Sequence, residues 1–189
     1  MKEKVKDPRI KSLVADVAQG RQAEIIEEMI DTALRFGKDK TGLGELKLYN
    51  RSLRELRYAS SIFGKYHGLR KVAVFGSART RPEAEEYKLA REFSRRMVSQ
   101  DWMVITGGGD GIMGAAQEGA GAEKSFGLNI RLPFEQRANE WIDGDEKLIS
   151  FRYFFTRKLN FVKETHAFAL FPGGFGTHDE GFEDRKSVV

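Results

Sequence analysis

The sequence contains no cysteine. Disulfide scaffolds, thiolate metal sites and cysteine nucleophiles are therefore excluded. Histidine is scarce: His67, His166 and His178 are the three present. None stands in an HExxH or HxxxH pair, so a zinc enzyme is not expected. No apolar run approaches the roughly 18 residues that a membrane span needs. The opening stretch, MKEKVKDPRI, lacks the apolar h-region of a signal peptide, and the expected location is the cytoplasm. A large excess of one charge is also missing. The 189 residues carry a net +4, and residues 1–70 hold 15 Lys and Arg against 10 Asp and Glu. The basic residues there are interleaved with acids, as on a solvated helical surface, so nucleic acid is not an expected partner.

What is present is a soluble globular composition, with 40% apolar and 32% charged residues. Residues 22–36 place Ile25, Ile26, Met29, Ile30, Ala33 and Leu34 on one face at helical period. Gly37 is a candidate end of that helix, and the three glycines of residues 37–45 read as a loop. A second amphipathic helix carries Leu53, Leu56, Ile62, Phe63 and Tyr66, weakened at Gly64 and ending near Gly68. Residues 1–69 are thus expected to form a helical extension, suited to packing or to contact within an oligomer.

From Lys71 the pattern becomes strand, glycine turn, helix, repeated. KVAVFG reads as a buried strand, and Thr80 and Glu83 around Pro82 form a candidate capping box for the helix after it. Residues 102–106 and 125–132 read as further strands, 151–165 as a helix, and 167–171 as another strand. Residues 70–189 are therefore expected to be an α/β domain: a Rossmann-like open parallel sheet with helices on both faces.

Three glycine turns fall at strand ends: Gly76-Ser77, Gly107-Gly108-Gly109 and Gly173-Gly174-Phe175-Gly176-Thr177. In open α/β sheets ligands bind outside these ends, at a topological switch point. Glycine there lets backbone N–H groups approach a phosphate, and the following helix N-terminus favours the anion. Glycine equally serves tight strand–helix packing. Residues 109–114 match GxGxxG, but no acid stands about 20 residues on, and no Walker loop occurs. Arg157 and Lys158 interrupt an otherwise apolar helix. The spacing puts Lys158 in the middle of the apolar face and Arg157 at its edge, facing either a ligand anion or solvent. Glu180, three residues past Thr177, either complements a helix dipole or stands beside a sugar near the phosphate-binding turn.

The pair Arg157-Lys158 with PGGFGTHDE at 172–180 resembles the LOG ("Lonely Guy") family, the cytokinin riboside 5′-monophosphate phosphoribohydrolases once mislabelled as lysine decarboxylases. Pro172, Gly173, Gly174, Gly176, Thr177 and Glu180 match its PGGxGTxxE signature. GGGDGIMG and FGSA are similar to its other glycine turns, and the resemblance is strongest to the longer bacterial branch. It implies hydrolysis of the N-glycosidic bond of a nucleoside 5′-monophosphate, AMP or an N6-modified AMP. It implies no metal or organic cofactor, and assembly as a homodimer or higher oligomer. Arg157 and Glu180 would be catalytic. Gly76, Ser77, Gly107, Gly108, Gly109, Met113, Glu140, Lys158, Gly173, Gly174, Gly176 and Thr177 would bind substrate. The fold also resembles that of molybdenum-cofactor carrier proteins, so a non-catalytic nucleotide or cofactor carrier is the alternative. Chains of the LOG type continue well beyond the signature. Here nine residues follow Glu180, so the domain is expected to lack its C-terminal part.

Overall fold

The computed structural model describes residues 7–131 and 137–174. The chain divides into two compact units, Met1–Arg51 and Ser52–Val189. In the first unit, α1 (Pro8–Ala15) is capped by Asp7, whose carboxylate accepts from the Arg9 backbone N–H at 2.9 Å. Pro8 occupies the first turn, where a missing N–H costs nothing. The Arg9 guanidinium beside Asp7 lowers that carboxyl to about 2. The second helix, α2 (Gly20–Lys38), runs through Gly37 rather than ending there. Its cap is Asp39, and Lys40 takes the left-handed conformation, with φ 55°. No residue of α2 is buried: Ile25, Met29 and Leu34 of its apolar stripe are exposed. The expected loop shortens accordingly, because α3 (Leu43–Phe63) begins within it and runs across the boundary between the units. A single 3₁₀ turn, Gly64–Tyr66, follows α3, and Gly68 then turns the chain with φ 89°.

The second unit is a five-stranded sheet whose strands are all parallel: β1 (Lys71–Phe75), β2 (Met103–Thr106), β3 (Ser125–Ile130), β4 (Leu148–Phe151) and β5 (Ala167–Leu170), in the order β4-β3-β2-β1-β5. The connecting helices are α4 (Glu85–Ser99), α5 (Ile112–Ala120) and α6 (Phe154–Glu164). Alternation along each strand sorts the core into two layers. Ala73 and Phe75 of β1, with Phe126 and Leu128 of β3, pack on Ala59, Ile62 and Phe63 of α3 and on Phe161 of α6. Val72, Val74 and Val104 face the other way, onto Ala90 of α4 and Ile112, Ala115 and Ala116 of α5. Helices therefore cover both faces, and the Rossmann-like α/β architecture is the one expected.

Three local expectations are corrected. The capping box at Thr80 and Glu83 does not form: α4 starts at Glu85, with Ala84 as its cap and no side-chain cap bond. The strand β4 has no counterpart among the expected elements, which leave residues 148–150 unassigned and begin a helix at 151. LISF is only four residues, too short for its alternation to stand out from its neighbours. Finally, α6 buries a face rotated from the one its apolar pattern suggests, with Phe161 common to both. Thr156, Arg157, Asn160 and Phe161 are buried, while Phe154, Phe155 and Leu159 are each about half exposed.

Candidate functional site

The order β4-β3-β2-β1-β5 reverses direction between β1 and β5. That is the switch point, and it brings the first and third glycine turns side by side: the Ser77 N–H donates to the Pro172 carbonyl at 3.1 Å. The second turn, after β2, lies next to the first. Gly76 has a packing reason to be glycine. A Cβ there would stand 2.6 Å from Cγ2 of Ile112, so its absence lets α5 seat against β1. Gly111, which opens α5, has φ 64°, and a Cβ on it would lie 2.3 Å from the Ser77 carbonyl oxygen. The Ile112 N–H donates to that same oxygen at 3.0 Å. Backbone of the first turn and the start of α5 are thus tied directly together.

The second turn is held on several sides. The buried Thr106 hydroxyl accepts from the Gly108 N–H at 2.9 Å. Gly108 itself has φ 76°. Asn139, 5% exposed, grips the turn from the far loop: its backbone N–H donates to the Gly108 carbonyl at 2.9 Å and its side-chain amide to the Gly109 carbonyl at 2.7 Å. The same amide donates to Oε1 of fully buried Gln117, and the Gln117 amide donates to the Phe126 carbonyl. Buried polar groups are thereby paired, as they must be to avoid a cost of about 1–3 kcal/mol each. The N–H groups of Gly109, Asp110 and Gly111 donate to no described group.

Arg157 is 8% exposed and reaches this turn from α6. Its Nη1 lies 3.5 Å from the Leu128 carbonyl oxygen, and a Cβ on Gly107 would come within 3.7 Å of the same nitrogen. The guanidinium lies 5.7 Å from the ring centres of both Phe154 and Phe161. The structure therefore reverses the expected order: Arg157 is the buried cation of α6, and Lys158 is only partly buried. The helix is fixed from α3, where the Glu55 carboxylate accepts from the Arg152 N–H at 3.0 Å and from the Thr156 hydroxyl at 2.7 Å. Glu55, Thr156 and Asn139 carried no signal in the sequence, since each acts across a long separation.

Met113 joins two parts of the site. A Cβ on Gly107 would meet its sulfur at 2.8 Å, and Met113 also lines a cleft of about 920 Å³ with Gly109, Asp110 and Glu140. Tyr87, on the same wall, donates from its hydroxyl to Glu118 at 2.9 Å, and burial together with that bond pushes its pKa up to about 12. Among the sequence-derived residues, Gly107, Gly108, Gly109, Met113 and Arg157 thus form one neighbourhood, and Gly76 and Ser77 adjoin it. Glu140 is exposed and sits on the cleft rather than beside Arg157. Gly173 and Gly174 are exposed just past β5. Gly176, Thr177 and Glu180 lie outside the described residues. Among the described residues, no group of three or more His, Asp or Glu could hold a metal ion, and no helix is long and apolar enough to cross a membrane.

An open parallel sheet with glycine turns and a buried arginine at its carboxyl edge defines a Rossmann-like α/β protein. Residues 113–185 match a family model described as "Possible lysine decarboxylase", the LOG-type family. No curated protein matches the sequence. Among solved structures, the chain is similar to the molybdenum cofactor carrier protein of Chlamydomonas reinhardtii, with 20% identity and a TM-score of 0.50 over 63% of this chain and 72% of that one. The structural-genomics target TM1055 is similar at 21% identity and a TM-score of 0.48, over 63% of this chain and 70% of that one. At these identities the likeness is one of fold.

Proposed function

We propose that this protein is a LOG-type phosphoribohydrolase, cleaving the N-glycosidic bond of a nucleoside 5′-monophosphate to free base and ribose 5-phosphate. The observation that carries this reading is the burial of Arg157 against the triple-glycine turn, on a helix that leads through β5 into PGGFGTHDE. A guanidinium stays charged at any working pH, so Arg157 does not donate a proton. It stabilises anionic charge on the phosphate or on the departing base. The 5′-phosphate takes the backbone N–H groups of Gly174, Gly176 and Thr177, with Gly173 giving the turn its reach and Lys158 orienting the substrate. Cleavage passes through an oxocarbenium-like state. The carboxylate of Glu180 stabilises that charge and orients or deprotonates the attacking water. The loss of Glu180's own proton-accepting capacity would therefore slow turnover more than binding.

The decarboxylase of the family description is not carried into this reading. The two lysines buried among the described residues, Lys71 and Lys147, stand at the amino ends of β1 and β4, away from the glycine turns. The Lys71 ammonium donates to the Tyr66 and Leu69 carbonyls, and Lys147 pairs with Asp145. Assembly into a homodimer or higher oligomer belongs to the same proposal. The exposed apolar stripe of α2 is one surface available to it. The test of function is incubation of the pure protein with AMP and chromatographic separation of the products. Release of adenine and ribose 5-phosphate supports the reading. Saturable AMP binding with no release would favour a carrier instead.

A further inference from the structure

The cleft beside Met113 carries more charge than the proposed reaction uses. It is lined by Arg79, Arg81 and Arg137, and by Asp110 and Glu140. None of these five side chains forms an ion pair with a described residue. The contrast with α4, which adjoins the cleft, is plain: there Arg91 pairs with Glu118, and both Arg95 and Arg96 pair with Glu92. Arg79 and Arg81 come from the segment after β1, and Arg137 from the loop that Asn139 fastens to the glycine turn. Three arginines from two separate segments therefore line one concave surface.

Each guanidinium offers five donors in a planar fork that matches phosphate oxygens two at a time. Three guanidiniums carry +3, more than the roughly −2 of a single phosphate monoester, and they come from two segments, so they can serve more than one phosphate group. The two carboxylates make the cleft unsuited to an anion alone, but they suit a ligand that also carries hydroxyl or amino donors. Tyr87, Trp141 and Met113 add apolar wall for a planar ring. We propose that this cleft is a second phosphate subsite, and that its ligand is a nucleotide bearing more than one phosphate. Its phosphates meet Arg79, Arg81 and Arg137, and its sugar or base donors meet Asp110 and Glu140. The choice of a nucleotide rests on the proposed function. The existence of the phosphate subsite does not.

The test is isothermal titration calorimetry of the full chain at fixed low salt with inorganic tripolyphosphate, ADP and AMP. Adenine release from AMP is assayed in parallel. Tripolyphosphate is expected to bind saturably, ADP about tenfold more tightly than AMP, and each arginine removed to weaken binding by about tenfold. All three arginines are exposed, so the variant Arg79→Ala/Arg81→Ala/Arg137→Ala keeps its fold, as circular dichroism would verify. Absence of saturable tripolyphosphate binding, equal affinity for ADP and AMP, or unchanged affinity in the triple variant would each overturn the subsite. Tripolyphosphate binding without adenine release would leave the subsite standing and remove the proposed reaction. Adenine release without tripolyphosphate binding would do the reverse.

Discussion

Two glycine turns at the carboxyl edge of the sheet look alike in sequence and are built differently. The turn after β2 is tied down by Thr106, Asn139 and the start of α5. In the described part of the turn after β5, the Pro172 carbonyl accepts from the Ser77 N–H, and a Cβ added at Gly174 would meet nothing within 4 Å. At the first, Gly108 takes a φ of 76°, and Gly111 just after it combines a φ of 64° with the Ser77 carbonyl against it, so both positions call for glycine. At the second, a side chain at Gly174 would meet open space.

Substitutions can break that contrast. The largest effect is expected at Gly111, where alanine combines a left-handed φ with a clash against the Ser77 carbonyl. Gly111→Ala should cost about 3 kcal/mol or more, read from urea unfolding. Next is Asn139→Ala, which strands the part-buried Gly109 carbonyl and the side-chain oxygen of buried Gln117 and should cost about 2–3 kcal/mol. It should also loosen the 137–146 loop, seen as faster amide exchange at Trp141. A smaller effect is expected at Tyr87. Its raised pKa contributes stability that is present below pH about 10, the ordinary tyrosine value, and is lost as pH rises towards about 12. Tyr87→Phe should flatten that alkaline decline, measured by unfolding at a series of pH values. The smallest effect is expected at the open turn: Gly174→Ala should change stability by less than about 0.5 kcal/mol. If Gly174→Ala proved as costly as Gly111→Ala, the two turns would not differ in the way described.

Much of this was legible before any coordinates. The alternation of strand, glycine turn and helix specified the parallel sheet, and the glycine turns and Arg157 fall at its carboxyl edge as expected. What stayed hidden depends on contacts between distant residues. Asn139 is one asparagine in a polar loop until the fold brings it 30 residues back to Gly109. On α6 the apolar pattern pointed to the wrong face. Arg157 could be buried because it has a backbone carbonyl and two aromatic rings beside it, while Phe154 and Phe155 remain at the surface. A periodicity argument assumes that the apolar face is the buried one, and on α6 that assumption fails for Phe154 and Phe155.

The central claim is that the buried cation of α6 and the carboxylate of the PGGFGTHDE segment act together on a nucleoside 5′-monophosphate. It is tested most directly by single-turnover adenine release from AMP in the wild-type chain, Arg157→Ala and Glu180→Gln, alongside AMP binding by each. The account predicts release by the wild type and a loss of at least about 100-fold in both variants, with Glu180→Gln still binding AMP. Undiminished release in either variant would contradict it.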